Sequence, residues 1–224
     1  MIAGAKQIKD REGAYLEIDS DGNRFFYCDE NFSIRHREYG PACEYKNGNS
    51  SWFWFGKRHR LNGPAWEWRT GSLGEEKYYQ NNLLHCETGP AFLEWRDGWM
   101  LRCIHFYHDL WHHDSIPAYT SRLDNRLYEF FHIHGFAFTK KEFLDTNFRI
   151  QKIEAENKKL LDYLSQDEFE TDRKWKKLIE RFKEPVTDPV VLEEIKNHSE
   201  HIQKVKLHQN DLSLWLERNR HVIL

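Results

Sequence analysis

The sequence predicts an α+β protein, in which an N-terminal array of antiparallel β-hairpin repeats forms a single extended sheet and a helical region follows. Two observations support this prediction. A short phrase containing His, Gly, Pro and Ala recurs along the first half of the chain. Glycine is absent after Thr139, where apolar residues take on helical spacing. We therefore expect a repeat domain over residues 1–138 and a tail of three or four helices over residues 139–224.

The recurring phrase occupies residues 36–42, 59–65 and 85–91, where His is followed four to six positions later by Gly-Pro-Ala. A weaker fourth copy runs from His113 to Ala118, and residues 11–14 resemble an earlier remnant. A period of roughly 23 to 28 residues is typical of stacked supersecondary units. Proline cannot donate to a strand ladder, so the phrase belongs in the connection between hairpins. We assign this structural role to His36, Gly40, Pro41, His59, Gly63, Pro64, His85, Gly89, Pro90, His113 and Pro117.

The second, third and fourth copies of the phrase are each preceded by two adjacent aromatic residues, and a short alternating segment follows the phrase. The first aromatic lies seven positions before the His, at Trp52, Tyr78 and Phe106, and the second is the next residue. Turn signals follow the alternating segments at residues 47–48, 71–74, 97–98 and 124–125. Each unit therefore reads as strand, tight turn, aromatic strand, second turn and connection. Stacked units would bury a row of aromatic side chains, about 150–250 Å² each.

The unit, roughly His-Arg-x-x-Gly-Pro-Ala, Asn-Gly, two aromatics and Gly-Lys-x-His-Arg, resembles the MORN-like repeats of large bacteriophages and giant DNA viruses. The resemblance covers residues 11–143. It implies a β-sheet repeat fold and an interaction role, and it implies no reaction. The fourth copy lacks the Arg and Gly, with Asp114 and Ile116 in their places, which suggests a capping repeat. Standard MORN repeats are built on other glycine patterns, so their proposed lipid-binding and kinase-regulating roles transfer poorly.

The tail contains several signals for helices. Thr139 and Glu142 form a candidate capping box, and a stripe of Ile150, Ile153, Leu160 and Leu164, with Asn157 among them, indicates an amphipathic helix. Ser165 and Glu168 suggest the start of a second helix carrying Trp175, Leu178, Ile179 and Phe182. Asp188 and Pro189 suggest another start, before Leu192, Ile195, Ile202 and Val205. We expect the helices to pack on each other or on the sheet. The alternatives are a coiled-coil homodimer in which Asn157 fixes the register, and a helix that docks into a partner.

Composition excludes several classes of protein. A net charge of −3 is unlike that of a general polyanion binder. No apolar run reaches the length of a membrane span, and the first ten residues lack a signal-peptide segment. The four cysteines contain no Cys-x-x-Cys pair, so we expect free thiols and a cytoplasmic location, in the host cytoplasm if the protein is viral.

Catalytic and metal-binding patterns are weak in this sequence. His105, His108, His112 and His113 are the densest histidine group, and His132 and His134 would share one strand face and bind one ion. We favour the interpretation that the repeat histidines hold turns by hydrogen bonds. A nucleophilic Cys–His pair is conceivable at Cys86 with His85 or at Cys103 with His105. We expect no cofactor, no metal and no enzymatic activity.

The sequence therefore favours a non-enzymatic protein–protein interaction module, because Trp, Tyr and Arg are enriched at binding hot spots. If the phage resemblance holds, the partner is a host protein, for example a defence complex that is inhibited or redirected. The alternatives are single-stranded nucleic-acid binding through aromatic and basic side chains, or a His-metal-dependent enzyme. The candidate partner-binding residues are Trp52, Trp54, Arg58, Arg60, Trp66, Trp68, Arg69, Trp95 and Trp99.

Overall fold

The computed structural model describes Ile8–Lys9, residues 13–181 and residues 189–220, with side chains described for residues 13–166, 197, 200 and 201–219. The chain divides into two compact units, Met1–Thr139 and Lys140–Leu224. The first unit contains the strands and the second contains the helices, which confirms the predicted α+β fold class.

The strands follow one another in short hairpins. Their bounds are β1 (Ile8–Lys9), β2 (Tyr15–Ile18), β3 (Arg24–Tyr27), β4 (Cys43–Glu44), β5 (Ser50–Ser51), β6 (Phe53–Trp54), β7 (Lys57–Arg58), β8 (Trp66–Thr70), β9 (Leu73–Lys77), β10 (Tyr79–Gln80), β11 (Leu83–Leu84), β12 (Phe92–Arg96), β13 (Trp99–Ile104), β14 (Phe106–Tyr107), β15 (Leu110–Trp111), β16 (Tyr119–Leu123), β17 (Arg126–Ile133) and β18 (Phe136–Phe138). Among the described residues, twelve of these strands form one main sheet in the order β1-β2-β3-β4-β5-β8-β9-β12-β13-β16-β17-β18. Neighbouring strands run antiparallel, so the sheet grows one hairpin at a time along the sequence.

Between the main-sheet hairpins, each repeat makes a second, smaller hairpin. The small hairpins are β6–β7, β10–β11, β14–β15 and the end of β17 with β18. Each has two consecutive residues of positive φ at its tip: Phe55-Gly56, Asn81-Asn82, His108-Asp109 and His134-Gly135. Two positive φ angles define the turn that suits the right-handed twist of a two-residue hairpin. The predicted second turn of the unit is therefore confirmed.

Repeat histidines join each small hairpin to the one that follows. Nδ1 of His36 accepts a hydrogen bond from the backbone N–H of Phe55 at 3.2 Å. His59 does the same with Asn81 at 3.3 Å, and His85 with His108 at 3.4 Å. The expectation that repeat histidines hold turns is confirmed for these three, with the difference that each holds the turn of the next repeat.

The fourth copy of the phrase begins one residue earlier than predicted. His112, not His113, accepts the equivalent bond, from the N–H of His134 at 3.1 Å. The assignment of His113 as the repeat histidine was wrong because residues 112 and 113 are both His, and only the six-residue distance to Ala118 fixes the register. His113 takes the place of the repeat Arg, and its Nδ1 accepts from Ser115 and Ile116 within its own loop. The residue seven positions before the repeat histidine is accordingly His105, not Phe106, so a histidine stands where the other repeats have Trp52 and Tyr78.

The alanines that end each phrase form the tightest part of the array. Ala42, Ala65, Ala91 and Ala118 are fully buried. Their carbonyls accept hydrogen bonds of 2.7–2.8 Å from the N–H groups of Phe26, Trp52, Tyr78 and His105. Ala14, from the predicted remnant, is also buried, in a cluster with Leu16 and Phe26. A buried position with its backbone in the ladder leaves room for a methyl group only, which explains the repeated Pro-Ala.

The second unit contains three described helices, α1 (Lys140–Leu144), α2 (Thr146–Arg181) and α3 (Pro189–Arg220). Thr139 immediately precedes α1, and the Asp145 carboxylate caps α2 by accepting from the N–H of Phe148 at 3.0 Å. The predicted helix start at Ser165 is wrong, because α2 continues through it and its hydroxyl donates to the carbonyl of Asp162. Asp188 and Phe182 lie outside the described residues. So do the side chains of Glu168, Trp175, Leu178, Ile179, Leu192 and Ile195.

The amphipathic stripe of α2 is used within the chain. Ile150, Ile153 and Leu164 are buried, as are Leu212, Trp215 and Leu216 of α3. Asn157 donates through Nδ2 to the Ser213 hydroxyl at 3.2 Å, and its Oδ1 accepts from Gln209 at 3.4 Å. The residue proposed to fix a dimer register thus pairs α2 with α3 of the same chain. None of the described helices has a stretch long and apolar enough to cross a membrane.

Candidate protein-binding groove

A groove of about 530 Å³ lies where the first two copies of the phrase meet. The first copy contributes Arg37, Glu38 and Gly40, and the second contributes residues 59–62. Residues 52–54 supply an aromatic wall. A volume of this size falls in the range of ligand-binding clefts, about 300–1,000 Å³. We call this feature the inter-repeat groove.

Two stacked arginines hold the groove in shape. The guanidinium carbon of Arg60 lies 3.8 Å from the Trp52 ring centroid, and that of Arg37 lies 3.9 Å from the Phe26 ring centroid. Arg60 also donates to the Pro64 carbonyl at 3.0 Å and to Glu67 at 3.1 Å. Arg37 makes the matching pair of bonds, to Pro41 and to Glu44. The ring, the carbonyl and the carboxylate that contact each arginine all belong to the repeat array itself. Both arginines therefore stabilise the fold.

The glycine of the phrase makes room for these arginines. A Cβ at Gly63 would lie 3.0 Å from the guanidinium carbon of Arg60, and one at Gly40 would lie 3.2 Å from Nη1 of Arg37. In the third copy Cys86 replaces the Arg, and a Cβ at Gly89 would meet nothing within 4 Å. In the fourth copy both the Arg and the Gly are replaced, the Arg by His113 and the Gly by Ile116. The Gly is thus replaced only in a copy that also lacks the Arg, and His113, not Asp114, occupies the Arg position.

A second row of arginines fills the space between aromatic rings of successive repeats. Arg35 lies 4.9 Å from the Phe25 centroid and 5.9 Å from that of Phe53. Arg58 lies 5.7 Å from the centroids of both Phe53 and Tyr79. The Phe53 ring therefore has a guanidinium from each of two repeats beside it. Arg58 is in this way a part of the repeat scaffold.

The rim of the inter-repeat groove is apolar and exposed. The exposed fractions are 42% for Trp54, 57% for Phe55, 75% for Leu61 and 70% for Tyr39. The His36 ring stacks on Phe55 with centroids 4.2 Å apart and meets the edge of Trp54 at 4.6 Å. Burial lowers the pKa of His36. The ring therefore stays neutral, and its Nδ1 can accept the hydrogen bond from the N–H of Phe55.

The other repeats show what these rim positions usually carry. Leu61 corresponds to Glu38, Glu87 and Asp114, and Tyr39 corresponds to Asn62, Thr88 and Ser115. Trp54 corresponds to Gln80, Tyr107 and Ile133, and Phe55 to Asn81, His108 and His134. The first copy has Phe32 in the Phe55 position, but that ring packs edge-on against Tyr15 and Tyr27. Exposed apolar side chains thus gather at this junction in positions where the scaffold itself accepts polar ones.

Phe55 is unfavourable for its own turn. Its φ is +43°, a left-handed conformation that bulky residues rarely adopt. Asn or Asp tolerates this conformation better, and Asn81 occupies it in the next small hairpin. Residues held in such conformations concentrate at functional sites. Because every small hairpin has a positive φ at this position, the cost comes from the phenylalanine, and Asn81 avoids it.

The sequence-predicted candidates lie on several surfaces. Trp66 and Trp68 alternate along β8 with Arg69, so the two tryptophans face one side of the main sheet and Arg69 faces the other. Trp95 shares the Arg69 side, with 5.5 Å between the Arg69 guanidinium and its ring centroid. Trp99 is 69% exposed at the start of β13. Among the candidates, the groove collects Trp52, Trp54 and Arg60.

Sequence reasoning missed Tyr39, Phe55 and Leu61. A signal for them was present, because aligning the copies position by position shows apolar residues where the other copies are polar. The direction in which each turn projects, and hence exposure, required the structure.

The Cys–His arrangement at Cys103 does not favour a nucleophile. Its sulfur lies 3.8 Å from Nε2 of His105. Burial raises the pKa of the Cys103 thiol. Burial, with the neighbouring His113, lowers the pKa of His105 to about 4. Both groups are therefore held neutral near pH 7, whereas a nucleophilic pair needs a thiolate and a basic imidazole. Cys86 instead has the Thr88 hydroxyl near its sulfur, at 3.8 Å.

The histidines pack as aromatic rings. His112 stacks on His134 with centroids 4.1 Å apart, whereas His132 meets the edge of Trp111 at 4.9 Å. His85 stacks on His108 at 4.5 Å. Among the residues with described side chains, no three His, Cys, Asp or Glu residues are grouped so that they would hold a metal ion.

No family model, curated protein or solved structure matches the chain. The inter-repeat groove is therefore interpreted through its own geometry and through the differences among the chain's own repeats.

Proposed function

We propose that this protein is a non-enzymatic protein-binding module whose partner contacts the inter-repeat groove. One observation carries the proposal: Tyr39, Trp54, Phe55 and Leu61 expose apolar side chains at one repeat junction, and the other copies are largely polar at the positions of Tyr39, Phe55 and Leu61. Apolar groups exposed together mark interaction surfaces. The left-handed Phe55 adds a conformational cost that a binding role explains.

The groove is suited to binding because its walls are held in place before a partner arrives. Arg60 is fixed by the Trp52 ring, the Pro64 carbonyl and the Glu67 carboxylate. The tip residue Phe55 is fixed by stacking on His36 and by the bond from its N–H to the same ring. A surface ordered in advance loses less side-chain entropy on association, which favours affinity.

A protein partner fits this surface better than a nucleic acid. Base stacking requires open aromatic faces, and Phe53 has Arg35 and Arg58 beside it. Leu61 is the most exposed of the four rim residues and offers no ring. The resemblance to phage and giant-virus repeat proteins suggests that the partner is a host protein. Under this proposal the helical unit supplies a second contact or a support.

Site-specific photo-cross-linking in extract of the likely host tests the proposal. A photoreactive phenylalanine analogue is placed at Phe55 and, as matched controls, at Asn81 and at Trp99. Asn81 occupies the same turn position in the next repeat, and Trp99 is comparably exposed. We expect a discrete protein adduct at position 55 that resists nuclease and is absent at position 81. Equal adducts at all three positions, or adducts that nuclease removes, would overturn the proposal.

A further inference from the structure

We infer that the inter-repeat groove recognises an acidic protein segment that carries one large apolar side chain. This inference rests on the proposed function and adds the chemistry of the partner. It follows from the charges around the groove, which differ in sign from the charge of the chain as a whole.

The groove is locally basic although the chain has a net charge of −3. Residues 52–60 contain three basic side chains and no acidic one. The basic side chains in and beside the groove outnumber the carboxylates by five to three. Arg37, Arg60 and Glu38 line the groove, and Glu44 and Glu67 bond to the two lining arginines. Arg35 and Arg58 lie beside the ring of the lining residue Phe53, and Lys57 pairs with Trp54 across the small hairpin. An excess of two positive charges favours a partner of negative charge.

Two of these positive charges are not neutralised by a carboxylate of the described residues, although the Arg58 side chain also packs within the scaffold. Arg37 and Arg60 are committed to Glu44 and Glu67. Within the described residues no carboxylate pairs with Lys57 or Arg58, and Lys57 is exposed. At the position of Lys57, other copies carry the apolar residues Ile34, Leu83 and Leu110. The positive charge at this position therefore belongs to this repeat alone. A basic residue three positions after Trp54 brings charge and apolar surface to the same small hairpin.

The same arrangement favours carboxylates of a protein over phosphates of a nucleic acid. Nucleic-acid binding rests on many phosphate contacts, whereas this groove offers two cations that no carboxylate of the described residues neutralises, beside an apolar wall. A segment with a few Asp or Glu residues around one Leu, Phe or Trp matches both features.

A random peptide library displayed on phage tests the inference. The library is selected on the full-length protein, with counter-selection against the triple variant Trp54→Gln/Phe55→Asn/Leu61→Glu. These three replacements are the residues that the third repeat carries at the same positions, so the scaffold already accepts them. Thermal unfolding of the variant verifies its fold.

We expect the selected peptides to contain more Asp and Glu than Lys and Arg, together with a large apolar residue. Their synthetic forms should bind about tenfold more weakly to Lys57→Glu, a loss of about 1.4 kcal/mol, because the substitution replaces an attractive charge contact with a repulsive one. Lys57→Leu, which copies Leu83, should weaken them less. An oligothymidine of about ten nucleotides serves as the nucleic-acid probe, and we expect no binding that depends on the rim residues.

The outcomes separate the inference from the proposed function. Selected peptides that are neutral or basic, yet discriminate against the triple variant, would overturn the inference and leave the proposed function standing. The absence of any discriminating peptide would count against both. Oligothymidine binding that the triple substitution abolishes would overturn both in favour of a nucleic-acid site.

Discussion

The guanidinium carbon of Arg60 lies 3.8 Å from the centre of the Trp52 ring, and a Cβ at Gly63 would come within 3.0 Å of that same carbon. The arginine is thus held between an aromatic ring and the backbone of its own phrase. Where the Arg is absent, as at Cys86, the space above Gly89 is open. In the copies that carry the arginine, the glycine is therefore required, and there the two act as one structural element.

Gly63→Ala tests this relationship. The backbone at Gly63 has a φ of +123°, and the new methyl group would displace Arg60. We expect the free energy of unfolding in urea to fall by about 1–3 kcal/mol. The matched control is Gly89→Ala, whose φ is not in the left-handed region and whose Cβ meets no neighbour; its effect should stay within about 0.5 kcal/mol. Equal losses for the two variants would show that the Arg is not the cause.

Phe55→Asn should stabilise the protein while weakening partner binding. It would create an Asn-Gly turn with Gly56, the preferred pair for two positive φ angles. The gain in unfolding free energy should be about 1 kcal/mol, the cost of a left-handed conformation in an unsuited residue. The reciprocal change Asn81→Phe should destabilise by a similar amount. If Phe55→Asn lowers the unfolding midpoint, the turn is not strained in the way described.

Much of the fold follows from local sequence, and the errors have local causes. The Asp-Gly pair at 97–98 and the Gly-Pro-Ala phrases predicted turns and connections that the structure contains. The register of the fourth copy was misread because His112 and His113 are adjacent and only the distance to Ala118 distinguishes them. The continuity of α2 through Ser165 was missed because a serine that caps a helix and one that bonds within it look alike in sequence.

The candidate site was less predictable than the fold. Tryptophan and arginine were reasonable signals, yet Arg60 and Arg58 proved to be scaffold residues. Arg60 bonds to Glu67 of its own repeat, and Arg58 lies beside the Tyr79 ring of the next repeat. Exposure of Phe55 and Leu61 depends on the direction of a turn tip and of a loop. Only the comparison among repeats, together with exposure, distinguishes a residue that the scaffold needs from one that it merely tolerates.

Acidification should destabilise the repeat unit through its buried histidines. Burial, with His113 beside it, lowers the pKa of His105 from 6.5 to about 4, and burial also lowers those of His36 and His113. The unfolded chain therefore binds protons more readily than the folded chain does. The stability that comes from keeping these histidines neutral is complete above pH 6.5 and is lost as the pH falls towards 4. Urea midpoints measured across this window should fall with pH.

The control for this pH dependence is His105→Tyr, since Tyr78 fills the equivalent position in the preceding repeat. Removing the titrating ring should flatten the fall in stability between pH 6.5 and about 4. An unchanged slope in the variant would show that other groups dominate the acid sensitivity. A slope of opposite sign in the parent protein would contradict the assignment of these histidines as neutral.

The buried polar link between α2 and α3 makes a separate prediction. Asn157 is 9% exposed and bonds to Ser213 and to Gln209. Asn157→Ala should lower the unfolding free energy by about 1–2 kcal/mol, because a hydrogen-bond partner of Ser213 is lost. Ser213→Ala should lower the unfolding free energy less in the Asn157→Ala background than in the parent protein, as expected for interacting residues. Strict additivity in this double-mutant cycle would mean that the two side chains do not interact.

The most direct test of the central claim compares what three forms of the protein capture from host extract, quantified by mass spectrometry after nuclease treatment. The forms are the parent, the triple variant Trp54→Gln/Phe55→Asn/Leu61→Glu, and Trp99→Ala. We predict that the parent and Trp99→Ala retain the same protein and that the triple variant loses it by about tenfold or more, as expected for the loss of a hot-spot cluster. Retention of that protein by all three forms, or its loss only with Trp99→Ala, would contradict the assignment of the inter-repeat groove as the binding site.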